Sequence, residues 1–178
     1  MFQDVLSFWF EELQPAQWWR VDPALDSHIR ERFGHTLTAA KACELFGWRS
    51  VPEGRLAEII VLDQFSRNIH RGTPSAFMAD PLALALAQEA VHAGADMRLD
   101  PGRRGFLYMP YMHSESLAIH ELAVQLFSSS GLTDNLSAEL KHQQIIQRFG
   151  RYPHRNSILG RPSTPEEESF LKEPGSSF

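Results

Sequence analysis

Hydrophobic residues recur every three or four positions along most of the chain, a spacing that predicts amphipathic helices. No alternation typical of a strand lasts long enough to compete with this pattern. Proline and glycine residues mark where the helices begin and end. The longer predicted helices cover about residues 4–12, 23–46, 52–65, 82–93, 114–127 and 135–149.

Local signals at helix ends refine this prediction. Ser50 and Glu53 form the pattern of a capping box before the third helix. Pro110 should interrupt a short helix around residues 106–108, and Ser114 should begin the next one as its N-cap. Thr164 and Pro165 should open a short C-terminal helix over residues 165–173, followed by a frayed tail at residues 174–178.

Short connections between successive helices favour antiparallel neighbours, so the sequence predicts an all-α fold of stacked helical hairpins. The chain has 178 residues, 43% hydrophobic and 22% charged, which suits one globular domain covering residues 1–178. No strict repeat of tetratricopeptide length is present.

Composition excludes several classes of function. A formal net charge of −5 and a pI near 5.9 argue against nucleic-acid binding, which needs a concentrated basic face. The N-terminus lacks the pattern of a signal peptide, and no apolar run reaches membrane-spanning length. The single cysteine, Cys43, excludes a disulfide scaffold and is expected to fill the core. We therefore expect a soluble cytoplasmic protein without a membrane partner.

The first polar cluster lies at the end of an apolar helix, over residues 63–71. Asp63 and Arg67 stand four positions apart and can pair on one helical face, and Asn68 and Arg71 extend the polar surface. One interpretation is a structural network that ties helices together. The other is that Arg67 and Arg71 donate hydrogen bonds to a carboxylate or phosphate.

A second cluster follows the helix that Gly150 ends, over residues 149–156. Arg151, His154, Arg155 and Asn156 crowd around Pro153. If the helices stack, both clusters could line one concave face and bind an anion. Alternatively, Arg155 and Asn156 brace the irregular chain that follows.

The segment of His113, Ser114 and Glu115 suggests acid–base chemistry. Ser114 and Glu115 suit a helix N-terminus, whereas a pairing of His113 with Glu115 would make the histidine a proton shuttle. Tyr108, Tyr111 and Met112 flank the segment and could form the walls of a pocket for a small amphipathic ligand. Ligand motifs for zinc, glycine-rich phosphate loops and nucleophile elbows are absent from the sequence, so no metal or cofactor is predicted.

Several segments occur together along nearly the whole chain: Leu62–Asn68, Arg71–Thr73, Phe106–Pro110, His113–Glu115, Phe149–Asn156 and Leu159–Arg161. Through them the chain resembles the bacterial family known as domain of unknown function 924. The resemblance implies a helical fold similar to that of tetratricopeptide proteins, and it implies no reaction. Members of that family often have proline where this chain has Ser66.

These observations favour a binding module for an anionic small molecule or an acidic peptide end. The alternatives are a hydrolase whose catalytic candidates are His113, Glu115 and His154, and an interaction scaffold whose polar clusters are structural. Whether the protein is an enzyme stays open at this stage. The predicted ligand-binding residues are Asp63, Arg67, Asn68, Arg71, Tyr108, His113, Glu115, Arg151, His154, Arg155 and Asn156.

Overall fold

The computed structural model describes residues 1–128 and 131–177, and these residues form helices, turns and bends without a strand. The prediction of an all-α fold is confirmed. The α-helices are α1 (Phe2–Ser7), α2 (Pro15–Trp18), α3 (Pro23–Lys41), α4 (Pro52–Ile60), α5 (Ser66–Ile69), α6 (Asp80–His92), α7 (Pro101–Met112), α8 (Leu117–Phe127), α9 (Thr133–Phe149) and α10 (Pro165–Phe170).

Two π-helical turns extend these helices. One continues α1 over Phe8–Glu12, and the other joins α4 to α5 over Val61–Phe65, so residues 52–69 form one continuous helical stretch. Short 3-10 turns occupy Phe46–Ser50, Pro74–Ala76, Asp96–Arg98 and Pro153–Arg155. The π turn at Val61–Phe65 matters most, because it carries Asp63 to the functional region.

The core is centred on α4, which packs against α1, α6 and α7. Its apolar side chains are inaccessible to solvent, and aromatic residues of neighbouring elements pack nearby. Phe65, for example, has its ring centroid 4.8 Å from that of Phe33 and 5.6 Å from that of Trp9. Burial of these large rings contributes to the stability of this core.

The C-terminal half packs onto this core through α7, α8 and α9, each of which contacts the next. A smaller apolar cluster of Ile145, Ile146 and Tyr152 attaches the chain that follows α9. None of the helices in the described ranges is long and apolar enough to cross a membrane.

Three predicted features near α3 and α4 were wrong. α3 ends at Lys41, before the predicted Phe46, because Cys43 adopts a positive φ of 58° that a helix cannot continue. Cys43 is exposed and does not fill the core. The capping box is also not formed: Val51 is the N-cap of α4, and the Ser50 hydroxyl donates to the carbonyl of Gly47.

The predicted interruption at Pro110 is wrong, because α7 continues through Pro110 to Met112. Residues 104–112 are all buried, so tertiary packing outweighs the hydrogen bond that proline removes. Ser114 is not an N-cap either. α8 begins after Ser116, whose backbone N–H donates to the Ser114 hydroxyl over 3.2 Å.

The C-terminal segment starts as predicted but ends earlier. Thr164 and Glu167 form a capping box on α10, which ends at Phe170. In the predicted tail, Ser176 is buried and its hydroxyl donates to the carbonyl of Leu171 over 3.2 Å. Phe178 lies outside the described residues.

We expect Gly54→Ala to destabilise the protein. A Cβ at Gly54 would lie 2.0 Å from the backbone oxygen of Trp48, so one of the two segments must move. The free energy of unfolding in urea should fall by about 2 kcal/mol or more. Gly34→Ala is the matched control, because nothing lies within 4 Å of its Cβ position in α3. It should raise the same free energy by about 0.5–1 kcal/mol, and equal effects of both changes would contradict the packing described.

Candidate functional site

A cleft of about 790 Å³ lies where α5, α7 and α9 meet the Pro153–Arg155 turn. It brings residues of both polar clusters together with His113. Six of the predicted ligand-binding residues line it: Arg67, Asn68, Arg71, His113, His154 and Arg155. The other five predicted residues are Asp63, Tyr108, Glu115, Arg151 and Asn156, and they are not among those lining the cleft.

Asp80 joins the two polar clusters. Nη1 and Nη2 of Arg67 donate to its two carboxylate oxygens over 2.8 and 2.9 Å. Nη1 of Arg155 donates to Oδ2 of the same carboxylate over 3.3 Å. Asp80 is also the first residue of α6, where the helix dipole favours negative charge. Its role as this link was not recognised from the sequence.

Arg155 is the least compensated cation of the cleft. Its side chain is 6% exposed, and its guanidinium carbon lies 4.6 Å from the ring centroid of Phe77 and 4.8 Å from that of Tyr152. Nη2 donates to the carbonyl of His113 over 2.9 Å, while Nε has no hydrogen-bond partner among the described residues. Burial, together with the charge of Arg67, lowers the pKa of Arg155. A further negative charge would therefore stabilise it.

Asp63 is buried and forms a close pair with His113. Its Oδ1 lies 2.7 Å from His113 Nδ1 and 3.1 Å from Nη1 of Arg67. Gln64 Nε2 donates to Oδ2 over 2.6 Å. Burial by itself would raise the pKa of Asp63, but the charge of Arg67 and the hydrogen bond from His113 outweigh burial and hold that pKa well below its usual range. The carboxylate is therefore ionised at neutral pH.

The surroundings of His113 favour its neutral form. Burial and the charge of Arg67 lower its pKa, and they outweigh the opposing effect of Asp63. Because a neutral imidazole carries one N–H, Nδ1 donates to the carboxylate and Nε2 holds the lone pair. The expected pairing of His113 with Glu115 is not formed, since Asp63 takes that place.

Arg71 and Asn68 lie at the cleft but are engaged with α3. Nε and Nη2 of Arg71 donate to the two oxygens of Asp26 over 2.6 and 2.9 Å, and Nδ2 of Asn68 donates to Oδ1 over 2.8 Å. Arg67 and Arg71 thus face different carboxylates instead of forming one open pair of donors. This contact favours the structural interpretation for Arg71.

Glu115 braces the chain after α9. Both its oxygens accept from Arg161, over 2.6 and 2.9 Å, and Oε1 also accepts from the backbone N–H of Tyr152 over 2.7 Å. Asn156 belongs to the same group, because its Oδ1 accepts from Nε of Arg161 over 3.0 Å. These contacts match the bracing role that we considered for this segment.

Two other predicted residues point to structural partners. Arg151 donates from Nε and Nη2 to Glu167 of α10, over 2.7 and 2.8 Å. Tyr108 donates to Asp96 over 2.5 Å, and burial raises its pKa above the usual range. In the described part of the chain, no group of three His, Cys, Asp or Glu side chains is placed to hold a metal ion.

Of the pocket walls predicted beside His113, Met112 lines the cleft, whereas Tyr108 and Tyr111 are not among its lining residues. His142 and the other apolar walls were missed. His142 lies three residues before Ile145 in α9, on the inward face already marked by the hydrophobic pattern, so that signal was available. The apolar walls come from several elements and could not be assembled from spacing alone. They include Trp18, Trp19, Phe77, Met109 and Met112.

Comparison with known proteins identifies relatives. Residues 5–175 match the family model described as "Bacterial protein of unknown function (DUF924)". Among solved structures, the chain is similar to that of a protein of unknown function, ATU0120, from Agrobacterium tumefaciens. The two share 38% sequence identity with a TM-score of 0.91, and the similarity covers 96% of each chain. No curated protein gives a significant match.

We expect the buried histidines to make stability depend on pH. Burial lowers the pKa of His142 to about 3 and that of His154 to about 4, against about 6.5 in an unfolded chain. Between about pH 6.5 and 4, the unfolded chain binds more protons than the folded one. The free energy of unfolding should therefore fall as the pH falls, by up to about 1.4 kcal/mol per pH unit for each histidine.

Urea unfolding from pH 7 to pH 5 measures this slope. His142→Gln and His154→Gln should each flatten it, because the residue that takes up the proton is gone. His35→Gln is the matched control, since His35 is exposed on α3. Slopes that are the same in all four proteins would show that the two histidines are not held neutral.

Proposed function

The chain belongs to the DUF924 family of bacterial proteins of unknown function, and we propose from the geometry of its cleft that it binds an anionic small molecule or the acidic end of a peptide. The observation that carries this proposal is Arg155, a buried cation whose Nε lacks a partner within the described residues. A carboxylate or phosphate beside this guanidinium would compensate its charge, because Asp80, its only carboxylate partner among the described residues, is held more closely by Arg67.

The hydrogen bonds at Asp80 favour Arg155 as the cation with which an incoming anion would pair, since Arg67 is also paired with Asp63. One carboxylate faces two guanidinium groups there, and Arg67 holds it through two hydrogen bonds while Arg155 reaches it through one of 3.3 Å. Arg155 is thus the cation with spare hydrogen-bonding capacity. An anion bound beside it would gain from low solvent exposure, which strengthens electrostatic attraction.

The apolar walls favour an amphipathic ligand. Phe77, Met109 and Met112 line the same cleft as the arginines, and so do Trp18 and Trp19. A volume of about 790 Å³ falls within the range of small-molecule sites. We therefore propose that the apolar part of the ligand packs on these side chains while its charged group lies at Arg155.

Several predictions about context remain part of this proposal. They are a single domain over residues 1–178, a tetratricopeptide-like stacking of helical hairpins, and a cytoplasmic location without a nucleic-acid partner. The net charge of −5 supports the absence of a nucleic-acid partner. No metal or cofactor enters the proposed binding mode.

Catalysis is the second candidate function, and the Asp63–His113 pair favours it. The imidazole is neutral, and its Nδ1 is held by a buried carboxylate at 2.7 Å. Such a histidine is suited to accept a proton from a reacting molecule. Of the earlier catalytic candidates, Glu115 is the least suited, because both its oxygens are occupied by Arg161.

A thermal-shift screen against phosphates, nucleotides and carboxylates tests the binding proposal. A ligand at 100 times its dissociation constant should add about 2.7 kcal/mol of stability, which raises the melting temperature by roughly 5–10 °C at this chain length. Arg155→Lys keeps the charge but loses Nε–H and the planar guanidinium, so the ligand-induced shift should shrink to about a third or less.

Arg151→Lys is the matched control, because Arg151 pairs with Glu167 outside the cleft. It should leave the ligand-induced shift unchanged. If no compound shifts the wild-type protein, or if Arg155→Lys lowers the melting temperature but keeps the full shift, the binding proposal fails. The polar clusters would then be structural, as expected of an interaction scaffold.

A further inference from the structure

We propose that the cleft is the active site of a hydrolase in which His113 is the general base and Asp63 positions it, and that the substrate is an ester of an amphipathic carboxylic acid. For the binding of the substrate's charged end, this inference rests on the proposed function. The catalytic pair itself is independent of that anion site.

The two nitrogens of His113 have different surroundings. Nδ1 lies 2.7 Å from Oδ1 of Asp63, a residue whose side chain is 1% exposed. Nε2 has no hydrogen-bond partner among the described residues, and the His113 side chain is 14% exposed and lines the cleft. The nitrogen with the lone pair is thus the one that a bound molecule can use.

Asp63 is itself held in place from both sides. Arg67 donates to Oδ1 and to the backbone oxygen of Asp63, over 3.1 and 2.9 Å, while Gln64 donates to Oδ2 over 2.6 Å. A carboxylate fixed in this way selects one tautomer of the histidine and stabilises the imidazolium that forms when a proton arrives. If Asp63 served only to form a salt bridge with Arg67, no histidine would be needed beside it.

The reaction needs only water as a co-reactant. Nε2 of His113 accepts a proton from a water molecule while the water oxygen bonds to the ester carbonyl carbon. The tetrahedral intermediate then breaks its bond to the alcohol oxygen, which takes the proton back from Nε2. The products are a carboxylic acid and an alcohol, and the base returns to its starting state.

Several charged and titratable groups lie near His113. Arg67 lowers its pKa, whereas Asp63 and Asp80 raise it. Arg155 lies against its backbone carbonyl, at 2.9 Å from the oxygen. The titrations of two further histidines are coupled to that of His113, namely those of His142 from α9 and His154 from the Pro153–Arg155 turn.

The test compares two para-nitrophenyl esters of equal chain length, the suberate monoester and the octanoate. The first has a free carboxylate at its far end, and the second has a methyl group there. We expect the wild-type protein to hydrolyse the suberate monoester with the higher kcat/KM. His113→Gln should lower kcat/KM for both esters by roughly 100-fold or more, because the base is removed.

His35→Gln is the matched control, since His35 is exposed on α3, and its kcat/KM should equal that of the wild type. The wild-type kcat/KM should rise with pH and level off above an apparent pKa below about 6.5, as His113 loses its proton. His113→Gln should lack this limb. Its thermal melting shows whether it is folded.

Asp63→Asn tests the positioning role. It should lower kcat with little change in KM, and it should move the pH limb to lower pH, because the carboxylate that raises the pKa of His113 is gone. A structural role alone would not move that limb. If this variant does not fold, His113→Gln and the wild-type pH profile decide the question.

The outcomes separate this inference from the binding proposal. Wild-type rates no faster than buffer, or an unchanged rate in His113→Gln, would overturn the hydrolase. If free suberate then still shifts the melting temperature, the binding proposal survives. If His113-dependent hydrolysis shows no preference for the charged ester and suberate gives no thermal shift, the role of His113 as general base is supported and the anion site at Arg155 is rejected.

Discussion

The carboxylate of Asp80 is the contact on which the cleft depends. It lies between Arg67 and Arg155, which come from the two polar clusters and would otherwise repel one another in a poorly solvated place. Removing one partner from such a group leaves a buried charge without compensation, which is far more costly than losing a surface ion pair. Asp80 can hold this position because it begins α6, where the helix dipole also favours a negative charge.

Most polar groups near the cleft satisfy one another and leave a few atoms for a ligand. Arg71 is engaged by Asp26, and Glu115 is engaged by Arg161, so these pairs brace helix ends and irregular chain. In the residues that the structure describes, Nε of Arg155 and Nε2 of His113 are left without hydrogen-bond partners in the same cleft. The network therefore positions the guanidinium of Arg155 and the imidazole of His113 beside the cleft, where a ligand can contact these side chains.

The helical fold could be predicted from the sequence because hydrophobic spacing and helix punctuation are local signals. The polar clusters were also found, since each lies at the end of an apolar helix. Their partners were not, because Arg155 meets Asp80 across 75 positions and Arg71 meets Asp26 across 45. Local rules failed where packing outweighed them, as at Pro110, which remains inside a fully buried stretch of α7. His113 was identified, but its partner Asp63 is 50 positions away.

The proposed function depends on Arg155 as the cation that holds an anion inside the cleft. Nuclear magnetic resonance of arginine side chains tests it directly, because each Nε–H gives a separate signal and Arg155→Lys identifies the one that belongs to Arg155. Upon titration with suberate, the Arg155 signal should move the most, because the bound carboxylate pairs with its guanidinium, while the signal of Arg151 stays in place. A stationary Arg155 signal, with other arginine signals moving instead, would contradict the claim.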